Sequence, residues 1–192
     1  MVEWVRDVTL KNQASIVFRG HPGVVVREKD VTISTFIPPG LAERLATFPP
    51  DHYLLGVGYA SKGDLQLGVT GTAQRGEYAR AALAREVQEE LGMDPCRAVS
   101  MGQVAKGRRT YYFYTGDFTS LDRLGFRVCD DTVSPNKSKK VVLLIHGPRD
   151  AMEDLLLTIG SLPGRPSDGI DRFAAIPLPD AIHLAKTLPS TC

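Results

Sequence analysis

The strongest constraint in this chain is a spacing. Gly71 is followed after five residues by Glu77, and Glu77 after seven more by Arg85-Glu86-Val87-Gln88-Glu89-Glu90-Leu91-Gly92-Met93. For Gly71, Glu77, Arg85, Glu86, Glu89, Glu90 and Gly92 all to fall so by chance has odds on the order of one in a million at ordinary residue frequencies. The spacing predicts a helix over Glu77–Leu91: Leu83, Val87 and Leu91 stand at i, i+4 and i+8, with Ala84 beside them, which makes one stripe apolar. Gly92 stands where a left-handed C-cap belongs, Met93 can make the accompanying apolar contact, and Pro95 bars continuation.

At about 100° per residue, Glu86, Glu89 and Glu90 share an arc of roughly 100°, expected beside the apolar stripe. Carboxylates so close repel, and like charges at i, i+4 destabilise a helix by a few tenths of a kcal/mol. A divalent cation reverses that sign, and hard oxygen ligands suit Mg²⁺ or Mn²⁺. A solvated glutamate-rich surface helix would account for the three glutamates alone. It does not account for a glycine and a further acid at fixed distances upstream, nor for the strand just before that glycine.

The rest of the 192 residues reads as an ordinary globular chain, 43% hydrophobic and 23% charged. With 23 basic against 22 acidic residues there is no global attraction to nucleic acid or membrane. Cys96, Cys129 and Cys192 are too few and too far apart for a disulfide framework or a zinc site. The histidines at 21, 52, 146 and 183 lack metal-ligand spacing. The N-terminus has no signal-peptide profile, and no apolar run nears the roughly 18 residues of a membrane span. A soluble, cytoplasmic protein is the expectation.

Strands are predicted at Ala14–Phe18 and Val24–Val26 around a Gly20–Gly23 turn, and at Tyr53–Tyr59, Leu65–Val69, Val141–Ile145 and Phe173–Ile176. Val99–Val104 and Thr110–Tyr114 read as a hairpin around Lys106-Gly107-Arg108-Arg109. Besides the glutamate helix, helices are expected over Leu41–Phe48, 149–159 and near Pro179–Leu188, with a loop over 160–169. Interleaved strands and helices predict an α/β or α+β fold with a mixed sheet. It should form one domain over 1–192, in which 1–50 is an N-terminal extension.

The Gly71–Met93 pattern resembles the Nudix box, GX5EX7REUXEEXGU with U aliphatic, at every position. Tyr53-Leu-Leu-Gly-Val-Gly-Tyr and Gly63-Asp64-Leu65-Gln66-Leu67 resemble the strands that precede the box in that family. Phe173-Ala-Ala-Ile-Pro-Leu-Pro-Asp-Ala-Ile resembles its closing strand and helix. The specific likeness covers 53–93, with a weaker echo at 171–183, while 1–50 and 115–170 match none of its motifs. The resemblance implies a mixed sheet packed between helices in an α/β/α sandwich. It implies that Glu89 and Glu90 are primary metal ligands, and that Glu86 is a further ligand or the base that activates water. Arg85 would orient the glutamates and Glu77 support Arg85; Gly71 shapes the loop, where the Thr70 carbonyl would face the metal. Thr70 replaces a frequent second glycine, which leaves that carbonyl's aim open.

The implied reaction is attack of a metal-activated water on one phosphorus of a diphosphate bridge. Some members take a base from the loop before the closing strand, where Asp168 and Asp171 stand, although both also suit loop or cap carboxylates. For the substrate, Lys106, Arg108 and Arg109 followed by Tyr111, Tyr112 and Phe113 offer phosphate contacts and base stacking, and Lys137, Lys139 and Lys140 form a second basic cluster. Each also reads as an exposed turn, a half-buried strand or a solvated loop. The two clusters tilt the expectation toward a long or highly phosphorylated substrate, capped RNA first. Nucleoside triphosphates, nucleotide sugars and diphosphoinositol polyphosphates stay open as alternatives, as does an RNA-binding or regulatory module. Family members are often homodimers; here residues 1–50 offer either an interface or a cover for a sheet edge.

Overall fold

The structure is a computed structural model that describes residues 2–6, 15–19, 32–33, 37–59, 64–92, 97–117, 138–161 and 170–187. In chain order the elements are β1 (Val2–Arg6), β2 (Ser15–Arg19), β3 (Thr32–Ile33), α1 (Leu41–Leu45), β4 (Tyr53–Tyr59), β5 (Asp64–Leu67), β6 (Val69–Thr72) and α2 (Ala79–Leu91). They continue with β7 (Arg97–Lys106), β8 (Arg109–Asp117), β9 (Ser138–Leu144), β10 (His146–Gly147), α3 (Arg149–Ser161), β11 (Ile170–Pro177) and α4 (Leu178–Thr187). The Val24–Val26 strand, the Gly20–Gly23 turn, Met93, Pro95, Lys137, Asp168 and all three cysteines lie outside the described residues.

The chain is mixed α+β, and its strands divide between two sheets instead of forming one. The larger has the order β1-β2-β11-β4-β5-β3, with β10 also on β4; the smaller has the order β6-β9-β8-β7. Two single residues make the division. The strand expected over Leu65–Val69 breaks at Gly68, so β5 pairs with β4 and β6 with β9. Ile145 does the same between β9 and β10. Backbone bonds tie both breaks to one residue: Leu55 N–H donates to Ile145 O at 2.9 Å, and Gly68 N–H to Leu55 O at 2.9 Å.

Gly68 has φ of +81°, and a Cβ there would run into the Leu143 carbonyl oxygen. Only glycine meets both demands at once.

Alternation along β4 and β9 separates two apolar clusters. Leu55, Val57, Val141 and Leu143 pack with α2 and with Met152, Leu155 and Leu156 of α3. Leu54, Val142 and Leu144 pack with Leu41 and Leu45 of α1 and Ala181 of α4. Neighbouring strand residues point to opposite faces, so each strand serves both clusters. The helix predicted to reach Phe48 ends at Leu45 and runs out in turns, with Phe48 N–H donating to Leu45 O at 3.2 Å. β2 joins the larger sheet through β11, so the N-terminal segment contributes strands to that sheet.

A histidine pair closes the β4–β10 junction. His52 Nδ1 and His146 Nδ1 lie 2.9 Å apart, and Phe48 stacks on the His146 ring at 3.6 Å between centroids. One nitrogen must donate and the other accept, so at least one ring is neutral. Burial, and then the His52 ring, push His146 from 6.5 down to about 4.

Two outcomes are expected. Gly68→Ala should lower unfolding stability by at least ~1–3 kcal/mol, as overpacking and a left-handed residue both predict; a urea midpoint equal to wild type would contradict the junction described. His146 takes up its proton near 6.5 when unfolded and near 4 when folded. Its contribution to stability is therefore complete above pH 6.5 and is lost as pH falls toward 4. Urea midpoints measured from pH 7 to 4.5 should fall more steeply for wild type than for His146→Gln, and parallel slopes would refute this.

Candidate active site

The glutamate helix begins at Ala79, two residues later than the spacing predicts, and ends as expected. Gly92 is left-handed (φ 67°) and its N–H donates to Gln88 O at 3.0 Å. Ala79, Ala82, Leu83, Val87 and Leu91 are buried against the sheets. Burying a leucine or valine is worth roughly 1.5–3 kcal/mol, so this stripe fixes the helix firmly. It also corrects the expected position of the acids. Glu86 is only 9% exposed and Glu90 1%, so both lie on the buried stripe instead of beside it.

The space for Glu86 comes from Gly71. Gly71 pairs with Val141 across β6 and β9, and a Cβ on it would coincide with Cγ, Cδ and Oε1 of Glu86. The fixed distance from glycine to glutamate is thus a packing requirement: the acid lies on bare backbone.

Buried carboxylates demand partners, and Arg85 supplies them. Its Nε and Nη2 reach Oε1 and Oε2 of Glu77, each at 3.2 Å, and Nη1 reaches Glu86 Oε1 at 2.9 Å and Glu89 Oε2 at 3.2 Å. Nη2 also donates to Thr72 O at 3.0 Å, which fastens the helix to β6. Glu77 in turn closes its own turn, accepting from Gln74 N–H at 2.7 Å. Burial pushes the Glu77 carboxyl up, but hydrogen bonds from Arg85 and Gln74 and the Arg85 charge outweigh it and leave its pKa below the usual value. The Glu77 hydrogen bond, acting against burial and joined by Glu86, raises Arg85 above its ordinary value. Arg85 and Glu77 therefore hold the other carboxylates in place.

Glu90 is reached from the sheet by a residue the sequence reading passed over. Gln66 on β5 donates through Nε2 to Glu90 Oε2 at 3.4 Å, and its Oε1 accepts from the Thr70 hydroxyl at 3.1 Å. The signal was a polar residue between Leu65 and Leu67 on a strand leading to the glycine loop. Thr70 pairs with Val142, and its link to Glu90 runs through Gln66.

Three carboxylates on one helix segment are a hard, all-oxygen donor set, which suits a magnesium-class ion. Among the described residues no three His, Cys, Asp or Glu side chains converge as a ready cation cage. The structure instead has the Arg85 guanidinium among Glu77, Glu86 and Glu89.

The predicted basic residues separate. Lys106 and Arg109 pair across the β7–β8 turn, and Arg108 and Arg109 are exposed. Of the aromatics behind them, two are in the core and closed to base stacking. Tyr111 and Phe113 are buried in the α1 cluster, 1% and 0% exposed, and Tyr112 packs on the α2 cluster. The alternating strand decides this, because its inward positions belong to the core. Lys139 is buried, with Nζ 5.5 Å from the centre of the Tyr112 ring, while Lys140 is half-buried. Asp171 falls in β11. No helix among the described residues is long and apolar enough to cross a membrane.

No family model matches this chain, and neither the curated proteins nor the solved structures yield a match.

If Glu86 packs on Gly71 as described, the two positions must be coupled. Gly71→Ala should destabilise the wild-type background by about 1–3 kcal/mol, and by less than half of that when Glu86 is Ala. A double-mutant cycle on chemical unfolding measures the coupling; additive effects would contradict the contact.

Proposed function

We propose that this chain is a metal-dependent hydrolase of the Nudix type, cleaving the diphosphate linkage of a nucleoside-diphosphate-X substrate on the α/β/α sandwich of that fold. The observation that carries the reading is the convergence of the pattern's separated positions. Gly71 receives the Glu86 side chain, and Arg85 joins Glu77, Glu86 and Glu89 in one cluster. A surface helix rich in glutamate would need neither contact, nor would it bury Glu90 to 1% exposure.

In this mechanism Glu86, Glu89 and Glu90 would hold Mg²⁺ or Mn²⁺, with the Thr70 carbonyl as a further candidate donor. The ion, when bound, lowers the pKa of water and offsets charge on the leaving phosphate. Arg85 keeps the carboxylates at fixed positions, and Glu77 anchors Arg85. Glu86 is the candidate base, since it is held at one oxygen by Arg85 and packs over Gly71 of β6. Lys106, Arg108 and Arg109 contact the remainder of the substrate. The RNA-binding alternative is less favoured, because Tyr111 and Phe113 are in the core.

The test is a product-resolved screen with Mg²⁺ or Mn²⁺ over capped RNA, dinucleotide polyphosphates, nucleoside triphosphates, nucleotide sugars and diphosphoinositol polyphosphates. Glu89→Gln should lower turnover of the preferred substrate by roughly a hundredfold or more, the scale of losing one positioned electrostatic group, with an unchanged melting curve. Absence of metal-dependent turnover on every diphosphate substrate would end the enzyme reading.

A further inference from the structure

Arg44 stands on α1, and its side chain turns back onto the smaller sheet. Its guanidinium lies over the Phe113 ring, 4.3 Å from the centre, and Nη1 donates to Gly40 O at 3.0 Å. Phe113 is buried in the α1 cluster and pairs with Val142. Gly71 pairs with Val141, one residue along β9, so Arg44 and the glutamate helix lie on opposite faces of this sheet. Two glycines leave room for the guanidinium. A Cβ on Gly40 would stand 2.8 Å from Nη1 and 2.9 Å from Val104 Cγ2, and one on Gly102 would stand 3.4 Å from Nη2. Gly102 has φ of +91°, lies in the irregular stretch of β7 between Ser100 and Gln103, and is exposed.

One edge of this guanidinium is not met by any described residue. Nη1 is engaged, but Nε is buried without a hydrogen bond, and among the described residues neither Nε nor Nη2 meets a carboxylate. Together Nε and Nη2 make the side-on fork of an arginine, which matches two oxygens of one anion. The same chain shows what such a fork accepts. Arg85 sets its Nε and Nη2 on the two carboxylate oxygens of Glu77, each at 3.2 Å. In Arg44 the fork is held by Phe113 below and Gly40 beside it, and the exposed Gly102 leaves its Nη2 end open. A buried donor without an acceptor is costly, and a cation stacked on an aromatic ring keeps its edge for an anion.

We propose that Arg44, between Gly40 and Gly102, forms an oxyanion site that takes a phosphate group of a ligand, on the face opposite the glutamate cluster. Two phosphate oxygens occupy the Nε–Nη2 fork as the Glu77 carboxylate occupies that of Arg85. Charge favours phosphate over carboxylate. Toward the hairpin the same face carries Lys106, Arg109 and Lys140, in register with Tyr111 and Phe113, and the described strands bring no acid there. A dianion gains more from that positive surround than a carboxylate does. The bound group ties α1 to β7 and takes no part in the hydrolysis proposed above, so the two readings stand or fall separately.

Two-dimensional NMR of the full chain, without metal, follows the Arg44 Nε–H signal as inorganic phosphate is added; its loss in Arg44→Lys assigns it. A saturable shift is expected, with affinity for phosphate roughly fivefold or more above that for acetate, since the dianion meets the stronger attraction. Arg85 Nε–H, already on Glu77, should keep its position. Arg44→Lys retains the charge and removes the fork, so Kd read from the Gly102 amide should rise roughly tenfold or more. Gly102→Asp places a carboxylate beside Nη2, and aspartate tolerates a left-handed angle better than most residues. It should abolish phosphate binding in a chain whose melting curve shows it folded. Absence of a saturable shift, or undiminished binding in either folded variant, would overturn the site. Acetate binding as tight as phosphate would overturn the choice of phosphate. An equal shift with sodium chloride at matched ionic strength would overturn the site by reducing it to screening.

Discussion

The arrangement of the site depends on one contact, the Glu86 side chain lying over the bare backbone of Gly71. It sets the distance between α2 and β6, and the polar contacts that run from the helix to the strands presuppose that distance. Arg85 reaches Thr72 O only because the helix lies this close to the strand. Gln66, one strand further, reaches Glu90 for the same reason. A side chain at position 71 would lift the helix and loosen all of these together. The glycine is thus required by packing, with no need of an unusual backbone angle: it is absent from the glycines with positive φ.

Burying acids is expensive, and the stability of the helix has to come from elsewhere. Ala79, Ala82, Leu83, Val87 and Leu91 supply it through the cluster they share with β4, β9 and α3. At roughly 1.5–3 kcal/mol for each large apolar side chain, that stripe outweighs repulsions of a few tenths between neighbouring carboxylates. The remaining cost is met by Arg85, which touches three acids at once. Since its side chain is about a quarter exposed, each ion pair taken alone contributes modestly. Its larger effect is to keep Glu86 from being a buried charge without a partner.

Much of this was legible in the residues because it is local. The helix, its Gly92 cap and the preceding strand follow from periodicity and from glycine chemistry, and the Gly71–Gly92 spacing marks Gly71, Glu77, Arg85, Glu86 and Glu89 as residues that meet. Long-range pairing was not legible. Nothing in Leu65–Val69 distinguishes one strand from two, since the break at Gly68 exists only because Leu143 O lies against it. Reading the acids as lying beside the apolar stripe failed for a related reason: periodicity ranks faces by hydrophobicity, and cannot know that a glycine opposite makes room for a carboxylate. Tyr111 and Phe113 were open to a surface role until β9 and α1 covered them. Lys139 and Lys140 read as one basic cluster, yet the strand divides them between two faces.

The division into two sheets gives that last separation its meaning. Because β5 passes into β6 at Gly68 and β9 into β10 at Ile145, the glycine loop hangs from the larger sheet on one side and pairs with β9 on the other. β9 is also the strand that binds the basic hairpin, parallel to β8. One strand therefore divides acid from cation by face, with Val141 opposite Gly71, over which Glu86 lies, and Lys140 opposite Thr72 on the other side. Their separation is a matter of backbone register, which a strand slip of one residue would turn to the opposite face. Glu86, held through Gly71, and Lys140 are thus fixed on opposite sides of a single buried strand, and each keeps its place more rigidly than a group on a loop would.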